Sequence, residues 1–375
     1  MAAASAGGVG PARLLRRARL DGPGREPGVD LARGLAVFGM FAAHVLPPGE
    51  PLRWGDPSTW PSIVHGSSSI LFATLAGVSL ALLSGGPRPA TGPRLAVLRG
   101  RVLVRAGALL VIGVLLTALP TPVYVILPAY GILFALALPL LSLRAGALAA
   151  TAAALAVATP FAYAALDRTA AGEALASPPL ADLVGWHYPF LVWISFLAAG
   201  LAVGRSGLGS PLVAAGLVLA GLGLAAVGSA IGSSSAPALS AEPHGSGLGE
   251  TIGSGGLAIA VIGACVLVCR TPLRHLLWPV RAVGSLALTA YVGQLVAWSI
   301  WIAAASAGGR DVDPLGGFWA VEPFWPMTIG TLVLCTLWAL LVGRGPLEAL
   351  LGSVARGIVP GSASAPGAGG GEAAR

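Results

Sequence analysis

Apolar runs separated by short polar segments recur along most of the chain. A first run at residues 31–46 is followed by nine more, and each is near the ~17–25 residues that a helix needs to cross a bilayer. This pattern predicts an all-α fold, a polytopic transmembrane helical bundle of about ten spans. We place the spans at residues 29–46, 61–84, 102–119, 123–143, 145–166, 187–204, 211–231, 251–269, 282–306 and 323–343.

The composition agrees with a membrane protein and excludes several other classes. Hydrophobic residues make up 55% of the 375 residues and charged residues only 10%, whereas a soluble globular protein carries about 25% charged residues. So little charge cannot cover a water-facing surface, and the lipid bilayer is therefore the expected partner. A disordered protein, a coiled coil and a secreted disulfide scaffold are excluded on the same grounds.

The distribution of charge predicts the orientation of the bundle. All 22 basic residues are arginine, the net charge is +7 and the isoelectric point is about 10.1. If the N-terminus lies inside, eighteen of the 22 arginines fall on the cytoplasmic side and most of the acidic residues fall outside. We therefore predict N-in and C-in topology in the plasma membrane. The membrane topology accounts for the positive net charge, so this charge does not indicate a nucleic-acid partner.

The chain is expected to form one membrane domain with two polar extensions. Residues 1–28 are predicted to be a disordered basic cytoplasmic arm, and residues 29–350 a single transmembrane domain. Residues 351–375, which end in a low-complexity run of Gly, Ala and Ser, are predicted to be a disordered cytoplasmic tail.

The first span carries ionisable residues that need an explanation, because each costs several kcal/mol near the centre of a bilayer. Asp30 and Arg33 are three residues apart and share a helix face, so they are expected to pair. His44 lies eleven residues beyond Arg33, nearly three whole turns, and points the same way about 16 Å further along the axis. The alternative is an N-terminal anchor followed by an interfacial histidine.

Four histidines map to the extracytoplasmic side of the predicted topology: His44, His65, His187 and His244. A histidine titrates near neutral pH, so such a group suits proton transfer. No metal site is expected, because the histidines are dispersed and lack metal-ligand spacing. His187, between Trp186 and Tyr188, is equally consistent with an interfacial aromatic belt. His244 is equally consistent with an ordinary solvated loop.

The predicted cytoplasmic loop at residues 85–101 contains four arginines, and Arg105 just after it makes five. Such a group can bind the phosphates of a nucleotide-bearing donor such as coenzyme A, and Arg99 and Arg101 are the candidates chosen here. The positive-inside rule alone is the alternative explanation.

Several segments resemble known membrane acyltransferases. The run from Asp30 to Ala36, with His44 eleven residues after Arg33, resembles the first-span signature of the acyltransferase-3 family. Other segments resemble YeiB-like bacterial proteins and the heparan-alpha-glucosaminide N-acetyltransferase-like proteins of the same superfamily. These segments are residues 65–80, 188–205, 284–291 and 345–348.

The resemblance implies transfer of an acyl group from cytoplasmic acyl-CoA, usually acetyl-CoA, to a glycan or small-molecule acceptor with a hydroxyl or amine group. A transporter or flippase of a small solute, lipid or glycan precursor is the alternative, and a non-catalytic membrane partner is a third. Under the acyltransferase hypothesis the candidate catalytic residues are His44, Asp30, Arg33, His65 and His244. The candidate substrate-binding residues are His187, Tyr188, Tyr291, Gln294, Arg99 and Arg101.

Overall fold

The computed structural model describes residues 20–22, 25–47, 49–50, 53, 55–234, 236–307 and 312–361. Within these ranges every regular element is an α-helix or a 3₁₀-helix. The predicted all-α fold is confirmed.

The α-helices of the described ranges are numbered here in chain order. They are α1 (Pro27–Val45), α2 (Ser67–Leu83), α3 (Gly92–Thr117), α4 (Leu127–Leu136), α5 (Ala145–Leu166), α6 (Ala170–Ala176), α7 (Leu180–Val184), α8 (Phe190–Arg205), α9 (Pro211–Ile231), α10 (Leu248–Val268), α11 (Leu273–Leu276), α12 (Trp278–Ser285), α13 (Ala287–Ala305), α14 (Gly316–Trp319), α15 (Phe324–Leu341) and α16 (Pro346–Ile358). The 3₁₀-helices are Pro57–Val64, Pro139–Ser142 and Pro237–Leu239.

Seven of the described helices are long and apolar enough to cross a membrane, namely α1, α3, α5, α9, α10, α13 and α15. An eighth span results if the 3₁₀-helix Pro57–Val64 and α2, which meet at an angle of 48°, count as one bent segment. Helices α4 and α8 are apolar but shorter. Each of the ten predicted spans thus coincides with an apolar helical segment, although α4 and α8 are too short to be counted by length.

Two predicted spans are interrupted in the structure. The span predicted at 123–143 contains only the ten residues of α4, followed by the 3₁₀-helix Pro139–Ser142. Proline has no N–H group and clashes with the preceding turn, so an α-helix does not continue through Pro139. The span predicted at 282–306 is divided at Leu286, which has φ −117° and ψ 28° and separates α12 from α13.

Helix α1 lies at the centre of the bundle and contacts α2, α10, α12, α13 and α15. Its glycines allow the closest approaches. A Cβ atom at Gly28 would collide with the backbone of Val266 in α10, and one at Gly34 would collide with the Val280 carbonyl in α12. Small residues are common where membrane helices touch, since close packing replaces the hydrophobic drive there. The backbone of α1 is therefore packed directly against α10 and α12.

The outer helices expose apolar side chains. Leu212 and Leu219 on α9, and Trp325 and Leu334 on α15, are all more than 60% exposed. In water such surfaces would be unfavourable, whereas in a bilayer they face lipid tails. The described helices thus support a multi-pass membrane protein.

The predicted ends of the membrane domain differ slightly from the helix boundaries. Helix α1 begins at Pro27, and α16 continues past the predicted boundary at residue 350 as far as Ile358. Residues 1–19, 23–24 and 362–375, on which most of the predicted arm and tail fall, lie outside the described residues.

Candidate functional site

His44 lies in the last turn of α1 and contacts Gln294 of α13. The Nε2 atom of Gln294 is 3.0 Å from the Nδ1 atom of His44. Gln294 is 1% exposed, and its Oε1 atom is buried without a hydrogen-bond partner among the described residues. The indole N–H of Trp319 donates to the His44 carbonyl at 3.2 Å. Gln294 therefore positions the imidazole of His44, while Trp319 holds its backbone independently of the ring.

Three of the four predicted histidines line one cavity of about 210 Å³, which we call the histidine cavity. Its lining includes His44, His65, His244, Tyr188 and Tyr291. The structure thus brings together residues that are 200 positions apart in the sequence. Among the described residues, no group of three or more His, Cys, Asp or Glu side chains is placed to hold a metal ion.

His65 enters this cavity because the chain turns sharply just after it. It follows the 3₁₀-helix Pro57–Val64, and the next residue, Gly66, has φ +76°. That left-handed conformation is readily accessible only to glycine. A Cβ atom at Gly66 would also lie 3.0 Å from Pro243, so the turn is close to the loop that carries His244.

The loop that carries His244 is held by a buried carboxylate. Glu250, in the first turn of α10, is 5% exposed. Its Oε1 accepts from the backbone N–H of His244 at 2.6 Å, and its Oε2 from that of Ser246 at 2.8 Å. His244 and Ser246 both have positive φ, 62° and 55°, which is unfavourable without such support. Glu250 is not among the candidate residues predicted from the sequence. The sequence signal that could have identified Glu250 is an acidic residue in the first turn of a helix that directly follows a histidine-containing loop.

Two tyrosines form another wall of the histidine cavity. The Tyr188 hydroxyl donates to the Tyr124 carbonyl at 3.3 Å, and the Tyr291 hydroxyl accepts from the N–H of Ile126 at 3.3 Å. Each of the two hydroxyls thus already has a backbone partner. The ring of Tyr188 also meets that of His244 edge-on at 5.8 Å.

His187 does not line the histidine cavity. Its Nε2 atom is 3.2 Å from Oδ1 of Asp182, and its ring stacks on that of Tyr124 with centroids 3.4 Å apart. His187 thus contacts Tyr124, which lines the histidine cavity, but does not line the cavity itself. It therefore makes a suitable control for the three histidines of the lining.

At the other end of α1, the predicted pair of Asp30 and Arg33 is confirmed. Arg33 Nη1 is 3.1 Å from Asp30 Oδ1, and Arg33 also donates to the Gly284 carbonyl at 3.0 Å and to Ser79 Oγ at 2.9 Å. Asp30 has a second partner, Arg25, at 2.9 Å. Arg25 was not predicted from the sequence, because it precedes the helix and no periodicity places its side chain.

This pairing predicts a strong coupling between the two residues. Replacing Arg33 with leucine, or Asp30 with asparagine, should cost about 3 kcal/mol, near the lower limit for a broken buried pair, because each partner keeps other contacts. The double variant should cost less than the sum of the single variants. Thermal unfolding of the detergent-solubilised variants measures this coupling. Simple additivity would contradict it.

The arginines of this end surround a cavity of about 1070 Å³, which we call the arginine cavity. Arg101 lines it and also donates to the carbonyls of Val359 and Gly361, at 3.1 and 2.7 Å. Arg99 points elsewhere and donates to the Leu138 carbonyl at 3.0 Å. The basic residues that line the cavity are Arg25, Arg101, Arg105, Arg344 and Arg356.

Glu348 is the single acidic residue among those that line the arginine cavity, and backbone N–H groups already donate hydrogen bonds to it. Its Oε1 accepts from the N–H groups of Leu288 and Thr289 at 2.8 and 3.1 Å, and its Oε2 from the Thr289 hydroxyl at 2.6 Å. Glu348 thus caps the first turn of α13, whose N–H groups have no partner inside the helix. Its charge is shared with that helix end, and the cavity keeps a strong positive character.

A third cavity of about 330 Å³, the middle cavity, adjoins the arginine cavity. Arg105 and Glu348 line both, and Arg33 lines the middle cavity alone. The rest of its lining is mainly apolar and includes Tyr130, whose buried hydroxyl has no hydrogen-bond partner among the described residues. Leu127 in its wall follows directly after Ile126 in the wall of the histidine cavity. In chain order, Arg25 just before α1 lines the arginine cavity, Arg33 in α1 lines the middle cavity, and His44 in the last turn of α1 lines the histidine cavity.

Two protein-family models match the chain. The family model described as heparan-alpha-glucosaminide N-acetyltransferase, catalytic, matches residues 25–230, more than half of the chain. A second family, described as a protein of unknown function (DUF418), matches residues 209–357. No curated protein and no solved structure gives a significant match. The resemblance found in the sequence is confirmed, and the chain belongs to the heparan-alpha-glucosaminide N-acetyltransferase catalytic family of membrane proteins.

Proposed function

We propose that this protein is a membrane acyltransferase that takes an acyl group from acyl-CoA at the arginine cavity. It passes that group to a hydroxyl or amine acceptor at the histidine cavity. The observation that carries the proposal is the order of the cavities along α1. A basic cavity, an apolar cavity and a histidine-lined cavity follow one another. Membership of the acetyltransferase family supports the same activity.

The arginine cavity suits the phosphate-bearing part of coenzyme A. Five arginines line it, and its one carboxylate already accepts hydrogen bonds from α13. Guanidinium groups bind phosphate oxygens through paired, charge-assisted hydrogen bonds. The apolar middle cavity beyond Arg105 suits the uncharged arm that ends in the thioester. We favour acetyl as the acyl group, as in the family.

His44 is the candidate base, and Gln294 its positioning residue. To take a proton at Nε2, the imidazole must carry its own proton at Nδ1 and donate it. Rotating the Gln294 amide by a half-turn exchanges its oxygen and nitrogen, which have nearly the same shape. The oxygen, which otherwise has no partner, then accepts from Nδ1. Gln294 thereby favours the tautomer that leaves Nε2 free.

In the proposed step the acceptor oxygen or nitrogen attacks the thioester carbonyl carbon. The new C–O or C–N bond forms, the C–S bond breaks, and the sulfur leaves with the electron pair. His44 takes the proton from the acceptor and returns it to the thiolate of coenzyme A. His65 and His244 line the same cavity and are the alternative bases.

The test uses purified protein in lipid nanodiscs with radiolabelled acetyl-CoA. An acyltransferase should release free coenzyme A thiol and should transfer the label to an acceptor. Because the cavities lie in series, the same arrangement also suits a transport path for a small solute or lipid. A transporter or flippase would leave acetyl-CoA intact, and intact donor in the presence of a broad set of sugars and amines would overturn the proposal.

The proposed sidedness places the arginine cavity in the cytoplasm, where acyl-CoA is found, and the histidine cavity outside. Reporter enzymes fused at intervals along the chain measure this directly, since they are active on one side only. The chain carries most of its arginines in segments expected inside. Extracytoplasmic activity is expected after residues 55, 175, 245 and 312, and cytoplasmic activity after residues 92 and 275. The reverse result at 55 or 245 would contradict the orientation.

A further inference from the structure

A fourth cavity, of about 580 Å³, adjoins the histidine cavity and is not used by the steps described above. It lies between the 3₁₀-helix Pro57–Val64, α9, α10 and the loop before α10. His65 lines both cavities. Glu250 lines the larger one, while its carboxylate holds the loop that brings His244 into the smaller one. The two cavities thus share walls, and we call the larger one the serine cavity.

The lining of the serine cavity is rich in hydroxyl groups and in exposed backbone. Its serines are Ser62, Ser67, Ser229 and Ser254. Gly249 and Gly253 of α10 also line it, and α9 and α10 pack so closely that a Cβ atom at Gly228 would collide with Gly253. The Ser67 hydroxyl donates to the Ser254 hydroxyl at 3.5 Å in the wall of the cavity. Hydroxyl groups both donate and accept, as the hydroxyls of a sugar do. The volume lies within the ~300–1,000 Å³ range of ligand pockets.

The charges that face the serine cavity are opposite to those of the arginine cavity. Its ionisable lining residues are Glu242, Glu250 and His65, and none of its lining residues is arginine. Glu242 is solvent-exposed, whereas Glu250 is buried. A phosphate, sulfate or carboxylate placed there would meet like charge without a cation to balance it. A hydroxyl group would instead find a carboxylate that accepts its hydrogen bond.

We infer that the serine cavity is the acceptor subsite, and that it takes a polyhydroxylated acceptor such as a sugar with no acidic group. This inference rests on the proposed acyltransferase function. It specifies where the acceptor binds, and it states that the site disfavours negatively charged acceptors. The acceptor hydroxyl or amine reaches the histidine cavity past His65, the residue that belongs to both walls.

The experiment measures acceptor binding without acyl-CoA, so it does not depend on catalysis. Equilibrium dialysis against protein in nanodiscs compares cellobiose, its aminated counterpart chitobiose, and cellobiose 6-sulfate. The two sugars without an acidic group should bind, and the sulfated one should bind at least about tenfold more weakly, the factor that a like charge in a partly desolvated site supplies. Equal binding of the sulfated sugar, or no binding of any of the three at millimolar concentration, would overturn the inference.

Two variants locate the binding. Glu242→Arg should reverse the preference in favour of the sulfated sugar, whereas Glu173→Arg, an exposed acid on α6 outside this lining, should leave it unchanged. Ser254→Leu should weaken binding of cellobiose about tenfold by filling the cavity. Unchanged binding in both Glu242→Arg and Ser254→Leu would place the sugar elsewhere. Acceptor binding that persists while acetyl-CoA stays intact would overturn the acyltransferase proposal and leave the sugar site standing.

Discussion

Replacing His44 with glutamine is expected to lower acyl transfer by about 10²–10⁴-fold, the contribution typical of a general base. Glutamine is the decisive replacement, because it can still hydrogen-bond to Gln294 but cannot accept the proton. The fold should be kept, since the contact from Trp319 goes to the His44 carbonyl and not to its ring. Label transfer from acetyl-CoA, measured on protein of unchanged thermal stability, gives the result.

His44→Ala should lose as much transfer as His44→Gln and should also be less stable. It leaves the buried amide of Gln294 without a partner, at a cost of about 1–3 kcal/mol. His187→Gln is the matched control, because His187 pairs with Asp182 outside the cavity. It should retain most of the activity. Full transfer with His44→Gln would exclude His44 as the base, and the same replacement at His65 and then at His244 would identify the residue that takes its place.

Replacing Arg105 with glutamine should raise the KM for acetyl-CoA about 10–100-fold. Arg105 lines both the arginine cavity and the middle cavity, so a donor that extends from one to the other must pass it. A hydrogen bond between charged groups contributes about 1.5–3 kcal/mol, and 1.4 kcal/mol corresponds to a factor of about ten. The effect should decrease with added salt, since part of it is long-range attraction.

Arg99→Gln is the control for this experiment. It removes the same charge from the same helix, but from a side chain that donates to the Leu138 carbonyl outside the cavity. The KM of the Arg99→Gln variant for acetyl-CoA should change little. If Arg99→Gln and Arg105→Gln raise the KM equally, the arginines act through net charge alone and the arginine cavity is not the donor site.

The sequence by itself determined the class of the protein, the position of its apolar segments and one ion pair. Apolar runs of bilayer length have few alternatives to helices, because in lipid each backbone polar group must be paired within the segment. Asp30 and Arg33 pair because three residues along a helix bring side chains to one face, a local property. The family was also recognisable, since its motifs are short and contiguous.

The sequence did not determine which residues face the cavities. Arg99 and Arg105 lie on one helix, and six residues at about 100° each place them about 120° apart. Both positions look equivalent until neighbouring helices decide which face is internal. Likewise, the sequence did not indicate that Tyr130, which lies within an apolar run, lines the middle cavity with a buried hydroxyl.

Only the tertiary structure decided that three histidines meet. His65 reaches the cavity through the left-handed turn at Gly66, and His244 through a loop fixed by the carboxylate of Glu250. A shared side of the membrane follows from charge counting, but a shared cavity depends on backbone conformations and contacts between segments 200 residues apart. The physical reason is that helix periodicity acts within one segment, whereas the geometry of a site is set by how separate segments pack.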